Sequence, residues 1–278
     1  MRDELMRELR RVTEEEEKLR AGGQVERSLY TSGNTFLIDS EKLLAKGKLI
    51  TVRPHTRFAS FPMHAHNYVE IMYMCSGQTV HRIEGRAPLT LRVGELLFLN
   101  QHAVHGVDRA EEGDVGVNFI VLPQFFDYAL NLIGTDNVLG RFLLSGLRQQ
   151  DGEMGCLHFR VAEVPTVQNL VENLVWSLVH PQANARLINQ ATMGLLLLQL
   201  LNYTGELEEA SGNGAVLAAL REIAMRRTAD QLNRSAVSKG KEKSAKAGEH
   251  ILICLSSAPS NAKVIRAAAR MSEAFHSG

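Results

Sequence analysis

The stretch His64-Ala65-His66-Asn67-Tyr68-Val69-Glu70, closed seven residues later by Gly77, decides how this chain is read. One residue separates His64 from His66, so on a β-strand both rings leave from the same face. Glu70 shares their parity, although Asn67 can place a turn between them. A second polar block, GELLFLNQHAVHGV, runs from Gly94 to Val107 and carries His102 and His105. Imidazole and carboxylate donors suit zinc, iron, manganese, nickel or copper. His64, His66, Glu70 and His105 would be an ordinary set for such a divalent metal, with positions left for water or substrate. The same residues suit the wall of a small-ligand pocket, where a few polar groups fix orientation. Tyr68, Met72 and Met74 share parity with His64 and are expected to face inward with it.

Around this block lie short runs rich in β-branched and aromatic residues: KLITVRP (48–54), YVEIMYMCSG (68–77), QTVHRI (78–83) and VGVNFIVL (115–122). Gly, Pro, Asn and Asp break them. None of the connections is long enough for crossover helices, so residues 25–122 are expected to form a sandwich or jelly-roll barrel. From 123 to 204 the period becomes helical. Val167, Leu170, Val171, Leu174 and Val175 recur at three-four spacing, and Pro181 stops that helix. A second helix, from about Ala185 to Asn202, is apolar on most sides, as expected for a helix held between the barrel and a partner. Residues 1–22 read as an amphipathic helix with Leu5, Leu9, Val12 and Leu19 close to one face, ended by Gly22 and Gly23. It either docks on its own domain or pairs with another subunit.

The composition is that of a soluble globular protein: 278 residues, 45% hydrophobic and 22% charged. Lys plus Arg equals Asp plus Glu at 31 each, so net charge points to no partner. Three widely spaced cysteines with no CxxC pair argue against a disulfide framework or a thiolate zinc site. The charged N-terminus carries no export signal. The longest apolar run, Met193–Leu201, falls well short of the roughly 20 residues of a membrane span. A cytoplasmic chain without a membrane partner is expected.

His64, His66, Glu70 and Gly77 resemble the first motif of the cupin superfamily. Gly94, Glu95 and His105 resemble the second. Asn100 stands where that family usually has proline, and His102 where it usually has glycine, so the turn before His105 differs and His102 becomes a candidate ligand at the pocket mouth. More closely, residues 25–204 resemble the sensor and dimerisation half of AraC-type transcriptional regulators. The resemblance implies a mainly β plus α architecture: a cupin barrel that binds a small, sugar-like effector, then helices that pair two subunits. His64, His66, Tyr68, Glu70, Met72, His102 and His105 are the candidate effector-binding residues. The competing reading is a metal-dependent cupin enzyme, an isomerase or dioxygenase, with the metal on His64, His66, Glu70 and His105. The regulator resemblance implies no catalytic activity.

The polar stretch GELEEASGNG, residues 205–214, reads as a linker. After it, TADQLNRSAVSK resembles the opening of a helix-turn-helix, with Ala229 to Asn233 as scaffold helix and Asn233, Arg234 and Ser235 as the DNA-contacting turn. KGKEKSAKAGEH is then too polar to pack as a recognition helix. Residues 215–278 are expected to be a degenerate, partly disordered remnant of a DNA-binding domain, basic enough for salt-dependent phosphate contact but not for sequence readout. The abrupt change in composition is what a shifted reading frame produces.

Overall fold

The computed structural model describes residues 1–33, 36–145 and 155–204, together with the backbone of 207–208. The chain divides into two compact units, Met1–Leu217 and Ala218–Gly278, and every described residue lies in the first. The helix-turn-helix reading of Ala229 to Ser235 therefore lies outside the described residues, as does most of the expected linker.

Strands β1 (Leu37–Ile38), β2 (Ile50–Pro54), β3 (Phe61–His66), β4 (Val69–Ser76), β5 (Gln78–Ile83), β6 (Leu89–Arg92), β7 (Leu96–Leu99), β8 (His105–Val107), β9 (Val115–Val121), β10 (Cys156–Phe159) and β11 (Leu207–Glu208) form two sheets. The smaller runs β1-β3-β8-β5-β6 and the larger β11-β10-β7-β4-β9-β2. All pairings are antiparallel except β1 with β3. Two facing antiparallel sheets give the expected jelly-roll character. The large sheet also recruits β10 and the backbone of β11 from stretches whose sequence suggested helices and linker. CLHF is only four residues long, and all four are buried. So short an apolar run carries no period of its own.

The strand pattern explains how the two faces divide. Along β4, Val69, Ile71 and Tyr73 join the core formed with the helices, while Met72 and Met74 belong to a separate inner cluster. A strand buried on both faces reads as a nearly unbroken apolar run, and Glu70 is the exception within it. The turns at the ends of this hairpin demand glycine. Gly77, at φ +69°, has no room for a Cβ against Asp114. Gly94, at φ +80°, would bring a Cβ to 2.7 Å from the Ala162 Cα. Both are left-handed positions where only glycine is at ease.

Helices cover the outer face of the large sheet. These are α4 (Asp127–Ile133), α5 (Val138–Ser145), α6 (Pro165–Val179) and α7 (Ala185–Leu201), with α1 (Asp3–Leu9), α2 (Glu14–Arg20) and the single turn α3 (Ser40–Leu43) earlier in the chain. Pro165 opens α6 at a position where its missing N–H costs nothing. Val167, Val171, Leu174 and Val175 form the buried stripe of α6, as their spacing predicts. The N-terminal stretch is two helices rather than one. Thr13 caps α2 by accepting from the Glu16 N–H, while the Glu16 carboxylate accepts from the Thr13 N–H. That reciprocal capping box ends one helix reading and starts another. Leu5 and Leu9 pack into the chain's own core.

Candidate functional site

The HxH segment is strand β3. His64 pairs across the small sheet with His105 on β8, and a register irregularity between Phe61 and His64 adjusts the aim of the rings. Their ring centroids are 4.2 Å apart. Glu70 approaches from β4 on the opposite sheet, and its Oε2 lies 3.2 Å from the His105 Nε2. That contact is close but misaligned for a hydrogen bond, so Glu70 Oε2 and both His105 nitrogens are buried without a hydrogen-bond partner among the described residues. Asn118, on β9, donates from Nδ2 to the other Glu70 oxygen at 3.0 Å and fixes the carboxylate plane.

His64 holds its Nδ1 at 2.9 Å from the Pro62 carbonyl, and His66 holds its own at 2.7 Å from the Tyr68 carbonyl. A carbonyl only accepts, so in both rings Nδ1 carries the proton and Nε2 presents a lone pair. The His66 Nε2 is buried without a partner. Burial is the dominant influence on all these rings. It pushes His64 down to about 4, helped by the neighbouring His105. It pushes His66 and His105 down to about 3, with Glu70 opposing the shift for His66. His55, on the chain leaving β2, is pushed down to about 4 by the same desolvation. At neutral pH the interior is therefore lined by uncharged imidazoles, which offer lone pairs and N–H groups.

The cavity is small, about 40 Å³. That is room for a few waters, each needing on the order of 10–15 Å³ by this measure. Of the sequence candidates, His64, Tyr68, Glu70, Met72 and His105 line it. His66 does not. It sits behind the wall with its ring stacked on Tyr68 at 4.7 Å. His102 is elsewhere. The Asn100 side chain accepts from the His102 N–H and donates to the Ser145 hydroxyl, while a His102 ring nitrogen lies 3.0 Å from the Ser145 carbonyl. The Asn100 turn thus carries His102 out to the end of α5 instead of into the mouth. The sequence reading missed His55, Arg53, Asn118 and the Tyr30 rim, all of which line the cavity. For Asn118 a signal was present: it is the polar residue of VGVNFIVL, at the parity opposite to Val115, Val117, Phe119 and Val121, which face the helix core.

The donor set is compatible with a metal ion. One ligand atom from each of His64, Glu70 and His105 falls within 4.8 Å of the others, and all three residues are buried. First-row metals bind such donors at about 2.0–2.2 Å, which places neighbouring ligand atoms roughly 3–4 Å apart, so modest contraction would close the site. The unpartnered Glu70 and His105 atoms are what an ion would satisfy.

A family model described as AraC-like ligand binding domain matches residues 47–201. Among solved structures, an apo ToxT variant from Vibrio cholerae superposes with a TM-score of 0.40 at 8% identity, over 55% of this chain and 56% of that one. KdgF from a Halomonas species gives a TM-score of 0.23 at 17% identity, over 28% of this chain and 84% of that one. Sensor protein KdpD of Clostridium acetobutylicum is 48% identical over 65 residues, 22% of this chain and 7% of that protein. The chain thus spans just over half of the ToxT chain and a small fraction of KdpD.

Proposed function

This chain belongs to the AraC-like ligand-binding domain family, and from that premise we propose that it is a sensor whose barrel binds a small, neutral, polar effector of the sugar class. The observation that carries the reading is Glu70: a buried carboxylate, held on one oxygen by Asn118 and unpartnered on the other, facing a cavity. A hydroxyl donor from an effector would satisfy that oxygen. Neutral imidazoles of His64 and His105 and the Thr56 hydroxyl add donors and acceptors around it, and Phe61 supplies an apolar face. A cavity of about 40 Å³ must widen to admit a sugar ring. Tyr30, Ile38 and Leu43, from the segment before β2, are the wall residues that can move without breaking either sheet's central strands.

Calorimetric titration of the full chain with a panel of monosaccharides and polyols tests this. A saturable ligand is expected, with affinity reduced about tenfold or more by Glu70→Gln, because a hydrogen bond to a charged group contributes roughly 1.5–3 kcal/mol. Unchanged affinity in Glu70→Gln and Asn118→Ala would refute the assignment.

A second reading rests on the donor set of His64, Glu70 and His105. A divalent ion held there would supply Lewis-acid polarisation to a bound oxygen. His66 would then support the site from behind through Tyr68. Metal analysis of protein purified without chelator decides it: a stoichiometric metal lost in His105→Ala favours this reading, and metal-free protein that still binds effector removes it.

The proposal extends to pairing of two subunits and to DNA output. The exposed apolar stripe of α7 supports the first. For the second, Asn233, Arg234 and Ser235 remain the contact candidates. Weak, salt-sensitive binding is expected from so polar a tail, and titration with promoter fragments at several salt concentrations measures it.

A further inference from the structure

A groove of about 320 Å³ lies where the chain entering β2 meets the turn between α6 and α7, and it shares no lining residue with the barrel cavity. Its apolar lining includes Leu49, Ile50, Phe125, Leu178 and Pro181. Lys46, Lys48 and Arg186 also line it, all three exposed, and no Asp or Glu does. None of these three cations forms an ion pair with another described residue. Three positive charges with no acidic residue among the lining make the local potential of this apolar trough positive.

Asn189 gives the second, independent sign. It sits on the buried face of α7, is 3% exposed, and its Oδ1 finds no partner among the described residues. It lines the groove. An unpaired carboxamide oxygen beside an apolar wall is costly unless something in the groove bonds to it. The opening turn of α7 adds to the field. The Ala185 N–H donates to the Gln182 carbonyl, but the N-cap, Asn184, makes no side-chain capping bond and the first turn holds no acidic residue, so the positive end of the helix favours negative charge.

We propose that this groove is a second ligand site, built for an amphiphilic organic anion whose head group meets Lys46, Lys48 and Arg186 while its apolar body lies against Phe125, Leu178 and Pro181. The volume sits at the lower end of the range, about 300–1,000 Å³, that small-molecule sites occupy. Asn189 would bond to a polar atom of the ligand or to a water it carries in.

Titration of the full chain with decanoate, decan-1-ol and decyltrimethylammonium, all below their micellar concentrations, tests the assignment by calorimetry. Saturable decanoate binding is expected, with the alcohol and the cation weaker by about tenfold or more, since both lose the charge-assisted contacts. The double variant Lys46→Gln, Arg186→Gln should weaken decanoate about fivefold or more while leaving the urea midpoint unchanged. Glu70→Gln, in the barrel, should leave decanoate binding intact. Absence of saturable binding overturns the proposal. So does equal binding of the three probes, or a loss in Glu70→Gln without a loss in the groove variant, which would put decanoate in the barrel.

Discussion

His55, His64, His66 and His105 are kept neutral in the folded barrel by burial, at about 4, 4, 3 and 3 against an ordinary 6.5. Between those values and 6.5 the unfolded chain binds protons that the folded chain refuses. Stability is therefore fully held above about 6.5 and lost as pH falls toward 4. Urea midpoints in the presence of chelator should stay level from pH 7.5 to about 6.5 and decline from there to pH 5; a profile flat down to pH 5 would mean that the rings are not buried and neutral. Strand alternation made part of this cluster legible: parity marked His64, Tyr68 and Met72 as inward-facing and His105 followed from the second polar block, whereas the direction of Glu70 was fixed only by β4 lying in the sheet opposite β3. His55 follows β2 and Asn118 lies on β9, where a lone polar residue looks ordinary until pairing sets β9 between β4 and β2. His102 misled because its neighbour Asn100 redirects the turn through its own side-chain bonds, which spacing cannot reveal.

Helix α2 is fastened to the barrel by a buried ion pair, besides the exposed pair of Arg20 with Glu112. Arg57 and Glu16 are both nearly inaccessible, with Nε and Oε1 2.7 Å apart. The remaining guanidinium donors reach Glu112, Arg10 and Arg11 carbonyls, so the charge is fully bonded. Burial raises the Glu16 carboxyl, but its bonds to Arg57 and Thr13 outweigh that and leave it below 4.5. Its contribution is thus present at neutral pH and lost as pH falls through the lowered value. Arg57→Ala should cost about 3–5 kcal/mol in urea unfolding, because it strands a buried carboxylate; a cost below about 1 kcal/mol would show that α2 is not held this way. The Gly94→Ala substitution makes a second test, combining a left-handed turn with a collision against the Ala162 backbone. It should destabilise by about 1–3 kcal/mol, and a neutral result would contradict the tight approach. The sequence pattern forecast the α6 stripe and the barrel strands well, because each repeats a period over several turns or alternations. It merged α1 with α2 because the heptad-like leucines run through Thr13, whose capping role depends on Glu16 three residues on.

At the scale of the whole molecule, α7 presents two apolar faces. One, with Met193, Leu196, Leu197 and Leu200, is buried. The other exposes Leu187 at 68%, Ile188 at 46%, Leu195 at 51% and Leu198 at 37%, all within one arc of the helix. On α4, Tyr128 and Leu132 are also exposed at 45% each, and both lie beside Gly194. A continuous apolar stripe of this kind marks an interaction surface. A symmetric pairing of two such stripes would place α7 against α7. Leu195→Glu is expected to convert a dimer to monomers in sedimentation without altering the urea midpoint at low protein concentration; dimers that survive it would move the contact elsewhere. The tightness of the barrel cavity, about 40 Å³, has a kinetic consequence. An effector cannot enter faster than the Tyr30 wall swings away, so the observed association rate should stop rising with effector concentration and level off at the opening rate. The apparent dissociation constant is then the intrinsic one divided by the fraction of time the wall stands open, and a substitution at the rim that never touches the effector could retune the concentration at which the sensor responds.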